Sequence, residues 1–138
     1  MERKRVKVLF VTDVGDTTGI GGHLYSVQSL VEALSRRVEC VVTSLGSMVS
    51  PALATLDCPQ HRVAFARDIL RRAELARFLE IARREKPDVI HAFDPIACAF
   101  ARVAARRLGC GLLLTKCGGP NPAARAYPWS YFPRVPRL

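Results

Sequence analysis

VKVLFVT, residues Val6 to Thr12, decides the fold: it is a short, β-branched, nearly continuous apolar run that ends in polar and glycine-rich sequence. A strand that is apolar on both faces needs a packed layer on each side, and such strands belong to parallel sheets. Outward from it, His23 to Arg37 carries Leu24, Val27, Val31 and Leu34 at helical spacing, with Gln28, Glu32 and Arg36 on other faces, and predicts a first helix. Val38 to Thr43 (VECVVT) repeats the buried-strand pattern, and Gly46, Ser47, Ser50 and Pro51 end it near Ser44. Ser47 to Gln60 reads as an irregular connection: Met48 to Leu56 has room for a helical turn, but Pro51 and Pro59 oppose a long helix.

His61 to Phe65 predicts a short third strand, and Arg67 to Lys86 a helix whose apolar side (Leu70, Ala73, Leu75, Phe78, Leu79, Ala82) opposes arginines and glutamates. Pro87 to Ala92 reads as a strand opened by proline, Ile96 to Leu108 as an alanine-rich helix ended by Gly109, and Gly111 to Thr115 (GLLLT) as a further buried strand. Strands alternating with helices imply right-handed βαβ crossovers, hence an α/β, Rossmann-like open parallel sheet of about five strands with flanking helices. Residues 1–122 form this domain; residues 123–138, with Pro128, Trp129, Tyr131, Phe132, Pro133 and Pro136, form a Pro/aromatic-rich segment that is either truncated or folded back onto the sheet.

With 138 residues and 49% hydrophobic composition the chain has a core's worth of apolar side chains for one domain. Its net charge of +9 attracts phosphates, nucleic acid or anionic lipid without choosing among them. The arginines of 67–84 are interleaved with Glu74 and Glu80, and no nucleic-acid motif accompanies them, so nucleic acid is the remote partner. The five cysteines are odd in number, widely spaced and never arranged as CxxC, which points to reduced thiols, a cytoplasmic location and no metal site. The basic start precedes an apolar run too short for a signal peptide, and no stretch approaches the roughly 18 apolar residues of a membrane span. Any membrane contact is then peripheral, at the inner face.

Ligands of open parallel sheets bind beyond the carboxyl ends of the strands. The sequence places Asp13, the Gly19–Gly22 loop, Ser44, His91, Asp94 and Lys116 there. Gly21 and Gly22, just before a helix, let backbone amides approach a phosphate. The dinucleotide pattern fails because Leu24 stands where its third glycine belongs, and Gly15 lacks a Gly-Lys-Ser/Thr completion, so neither NAD nor P-loop ATP hydrolysis has support and no cofactor is implied. His91 and Asp94 can serve as general acid or base, or as a rim histidine and a helix cap. Lys116, before Gly118 and Gly119, can face a phosphate or solvent.

The stretches VLFVTD, TTGIGGHLYSVQSLVEAL, KPDVIHAFDP and LLLTKCGGPNP, in that order, resemble the N-terminal domain of glycosyltransferase family 4, the retaining, nucleotide-sugar-dependent GT-B enzymes. The resemblance spans most of Val6 to Pro122 and covers one GT-B half. It implies that Gly21 and Gly22 offer amides to the donor phosphates or an acceptor phosphate, and that His91 and Asp94 line the acceptor side, where they are the candidate catalytic residues; Lys116 is a further candidate for the phosphates, and Asp13, His23, Gly118 and Gly119 are further candidates for the acceptor. It implies a nucleotide sugar as donor substrate, a sugar or lipid acceptor, and a C-terminal GT-B domain in cis or trans, without which the chain is inactive. Two departures stand out: Lys116-Cys117 and Phe93 occupy positions where many members carry histidines.

Overall fold

The computed structural model describes residues 3–15, 22–47, 49–64 and 72–115. In chain order these form β1 (Lys7–Gly15), α1 (Gly22–Leu34), β2 (Glu39–Gly46), α2 (Pro51–Ala54), β3 (Gln60–Val63), α3 (Arg72–Glu85), β4 (Val89–Ala92), α4 (Pro95–Leu108) and β5 (Gly111–Leu114). The five strands are parallel and ordered β3-β2-β1-β4-β5, so β1 is central.

Alternation along β1 builds two cores, because successive strand side chains point to opposite faces. Leu9 and Val11, with Val41, Leu45 and Ile90, pack under α3 and α4 against Leu79, Phe78 and Phe100. Phe78 and Phe100 meet edge to face at 5.7 Å. Val8 and Phe10, with Cys40 and Val42, pack on the other side against Leu24, Val27 and Val31 of α1 and Leu53 of α2. The buried-on-both-faces reading of VKVLFVT therefore holds, and the strand runs on to Gly15.

Two local expectations are corrected. The Ser47–Gln60 connection contains the short helix α2, with Ser50 as its N-cap accepting from the Leu53 N–H and Pro51 in the first turn. A proline there loses no hydrogen bond, so Pro51 starts a turn it would otherwise block. Gly111–Leu114 is a strand but not a buried one: Leu112, Leu113 and Leu114 are 39%, 51% and 47% exposed. It is the sheet's edge, and an apolar run of four residues does not reveal how many layers cover it. Of the helix expected over Arg67–Lys86, the residues before Arg72 lie outside the described ones.

α4 ends as its sequence predicts. Gly109 adopts φ 65°, ψ 30°, and its N–H donates to the Ala105 carbonyl. A Cβ at Gly109 meets nothing within 4 Å, so Gly109→Ala is expected to cost about 1 kcal/mol from backbone strain alone, read as a lowered midpoint in urea.

At the amino edge of the sheet Lys7 Nζ lies 2.8 Å from Glu85 and 3.3 Å from Glu39, and His61 Nε2 lies 2.7 Å from Glu85. The hydrogen bond with Lys7 holds the Glu85 carboxyl below its usual range, and Glu85 raises Lys7 in turn.

Candidate functional site

The chain turns from β1 towards β2 on one side and from β3 across to β4 on the other, with α1 and α2 on one face and α3 and α4 on the opposite face. The direction of winding thus reverses between β1 and β4, and a crevice at such a reversal, beyond the carboxyl ends of the strands, is where ligands bind in open α/β sheets. The end of β1 and the start of α4, just after β4, meet there, and α1 opens at the same carboxyl edge of the sheet.

Asp94 is the hub of this rim. One carboxylate oxygen, Oδ1, accepts the Ala97 N–H at 2.7 Å and caps α4, while Oδ2 accepts the Asp13 N–H at 2.7 Å and the Thr12 hydroxyl at 3.3 Å. The side chain thus ties the start of α4 to the end of β1. Asp-Pro at the N-cap and first helical position is the local reason: an extended Asp94 (φ −149°, ψ 167°) is followed by a residue with helical φ and no N–H to satisfy.

His91 comes from β4, in register between Phe10 of β1 and Leu113 of β5. It is 5% exposed, its ring lies 4.2 Å from that of Phe93 at an interplanar angle of 21°, and Phe10 is 5.6 Å away. Its Nε2 pairs with the Thr115 hydroxyl at 2.6 Å. Burial pushes its pKa below the ordinary 6.5, so the folded domain holds a neutral imidazole. The sign follows: the unfolded chain takes up the proton first, so stability is full above pH 6.5 and falls as the pH drops from there towards the folded pKa. Unfolding free energies from denaturant titrations are expected to fall by up to ~1.4 kcal/mol per pH unit from this group as the pH drops below about 6.5, a contribution that His91→Gln removes.

Asp13 is 5% exposed at the end of β1, where the pairing with β2 shifts register between Asp13 and Gly15. The backbones of Gly22 and His23 open α1. Gly21, Lys116, Cys117, Gly118 and Gly119 lie outside the described residues. The structure therefore brings Asp13, His91, Asp94 and the start of α1 to one edge and adds Thr12 and Thr115, which sequence reasoning missed. The only signal for them was a hydroxyl side chain ending an apolar strand. Among the described residues no group of His, Cys, Asp or Glu is placed to hold a metal ion. Cys40, Cys58, Cys98 and Cys110 are free thiols, and burial pushes that of Cys98 up to about 12, too high for a nucleophile at neutral pH. No described helix is long and apolar enough to cross a membrane.

With this geometry in place, the chain matches the model of the glycosyl transferase 4-like domain over residues 21–137. The chain belongs to this family. No protein of curated function matches this glycosyl transferase 4-like domain by sequence. Among solved structures it is similar to UDP-N-acetylglucosamine 2-epimerase from Rickettsia bellii, with a TM-score of 0.64 at 12% identity over 96% of this chain and 36% of that one. It is also similar to UDP-GlcNAc 2-epimerase from Neisseria meningitidis bound to UDP-GlcNAc (TM-score 0.63, 15% identity, 94% of this chain and 36% of that one). MurG of Acinetobacter baumannii gives a TM-score of 0.57 at 18% identity, over 79% of this chain and 33% of that one. The glycosyl transferase 4-like domain thus shares its fold with proteins about a third of whose length it spans.

Proposed function

We propose that the chain is the N-terminal, acceptor-side half of a retaining glycosyltransferase that uses a nucleotide sugar, with the donor-holding half supplied in cis or in trans by a second GT-B domain. The observation that carries this reading is that α1 follows the central strand β1 and opens at Gly22 on the carboxyl edge of the sheet, in a chain that matches the glycosyl transferase 4-like domain. A helix N-terminus offers unpaired N–H groups and a positive dipole end to an anion, and glycines at its start let a phosphate come close.

In this reading the amides of Gly21 and Gly22, with Lys116, face the donor phosphates, and Asp13, His23, Gly118 and Gly119 line the acceptor side. His91 and Asp94 sit beside the reacting centre. The burial of His91 and the hydrogen bonds of Asp94 to Ala97, Asp13 and Thr12 favour a positioning role for both over proton transfer. The nucleotide sugar is a substrate, and no resident cofactor enters.

Titrating UDP-GlcNAc and UDP into the isotopically labelled chain is expected to move the amides of Gly21, Gly22 and His23 with a Kd of about a millimolar, because half of the cleft contributes half of the contacts. Absence of any shift at about ten times that concentration, or shifts confined to the opposite edge, would sink the proposal. The chain alone is expected to transfer no sugar from these donors, and transfer by it would refute the need for a second half. A second reading, a noncatalytic subunit that docks a separate donor domain, rests on the third-length match. The intact mass of the native protein separates supply in cis from the rest: a larger mass favours an enzyme half with its donor domain in the same chain, and a mass near 15.2 kDa a subunit whose donor domain is a separate chain.

A further inference from the structure

A parallel sheet gathers all strand starts and the ends of its crossover helices on one edge, so residues far apart in sequence meet there. On this amino edge stand the basic lead of residues 3–5, and Arg36 and Arg37 after α1. Arg83, Arg84 and Lys86 end α3 on the same edge, and Arg106 and Arg107 end α4. All ten are exposed.

Of the described carboxylates near this edge, Glu39 and Glu85 are held on the Lys7 ammonium, Asp88 accepts the Lys7 N–H at 2.8 Å, and Glu80 pairs with Arg84 at 2.6 Å. Counting Lys7, the edge carries eleven of the fifteen Lys and Arg among the described residues. Helix dipoles favour cations in the last turns of α3 and α4. They do not account for residues 3–5, nor for Arg36 and Arg37, which lie beyond an α1 whose last turn holds no basic residue.

We propose that this amino edge is a docking surface for an anionic lipid bilayer. The charges come from both faces of the sheet and from its plane, which makes a broad end surface in place of a groove. Val6, 47% exposed, adds an apolar side chain at its middle, next to the basic lead. The large exposed hydrophobics of the described residues include no aromatic on this edge, so bases have no ring to stack on. The helices reach the edge end-on by their C-termini and cannot lie along a duplex groove. Docked this way, the carboxyl rim faces away from the lipid by the length of β1, roughly 25–30 Å. An acceptor must then come from solution and not from the same bilayer.

The test is co-sedimentation of the full chain with vesicles of phosphatidylcholine alone or with about 30 mol% phosphatidylglycerol. Retention is expected on the anionic vesicles only, and is lost at about 0.5 M salt. Replacing Arg3, Lys4 and Arg5 by glutamine, or Arg106 and Arg107 by glutamine, is expected to lower the partition coefficient about ten- to a hundredfold. Arg62→Gln and Arg77→Gln, away from the edge, leave it unchanged, and far-ultraviolet circular dichroism confirms that every variant is folded. Equal retention on neutral vesicles, equal loss in the two control variants, or an oligonucleotide that displaces the chain from the vesicles at equimolar charge would overturn the proposal. The outcome is independent of nucleotide-sugar binding, which is read at the other edge.

Discussion

Phe10→Ala is expected to destabilise the domain by about 3–5 kcal/mol, a large share of the ~5–15 kcal/mol that holds a domain of this size together. Phe10 is fully buried on the central strand, paired with Val42 on one side and His91 on the other. Its ring lies 6.1 Å from Phe93, close to parallel, so truncation removes apolar burial and leaves a cavity beneath α1 that the rigid sheet cannot close. The same cavity admits water beside His91. The depressed pKa of that histidine should therefore move back towards 6.5, followed by the shift of its ring protons with pH. A loss below about 1.5 kcal/mol in urea denaturation would mean that neighbouring side chains refill the space.

The second large effect is at Asp94. Asp94→Ala removes the cap of α4 and leaves the Asp13 N–H without its acceptor, for a combined loss of about 2–4 kcal/mol. Asp94→Asn keeps one carbonyl oxygen for the cap and should fall between alanine and the parent. The asparagine variant also separates positioning from chemistry once a donor half is supplied. A group that only ties α4 to β1 leaves kcat within about tenfold, whereas loss of a general acid or base costs about 10²–10⁴. An asparagine variant as unstable as alanine would show that the second oxygen, towards β1, matters more than the cap.

Much of the architecture was legible because each signal was local. The two apolar strands VKVLFVT and VECVVT, the periodicity of α1, α3 and α4, and the Asp94-Pro95 and Gly109 punctuation all act within a few residues. Where reading failed, the deciding factor was distant. Pro51 does oppose a long helix, since α2 has four residues, but the sequence does not say that it stands at the start of a helical turn. GLLLT reads as buried because four apolar residues look alike in the middle and at the edge of a sheet.

The candidate site divides the same way. His91 and Asp94 were found as polar residues following an apolar strand, but their partners Thr115 and Thr12 lie 24 and 82 residues away in sequence. The choice of Asp94 as cap and strand tie, and of His91 as a buried neutral ring between Phe10 and Phe93, follows from which strands lie side by side. By itself the sequence determined the α/β class, the order of elements and the family, since periodicity and turn chemistry depend on near neighbours. Tertiary structure alone decided which strand became the edge, which polar atoms met at the crevice, and that most of the described lysines and arginines gathered at the opposite end. Parallel pairing joins residues at large sequence separation, and no local pattern encodes those contacts.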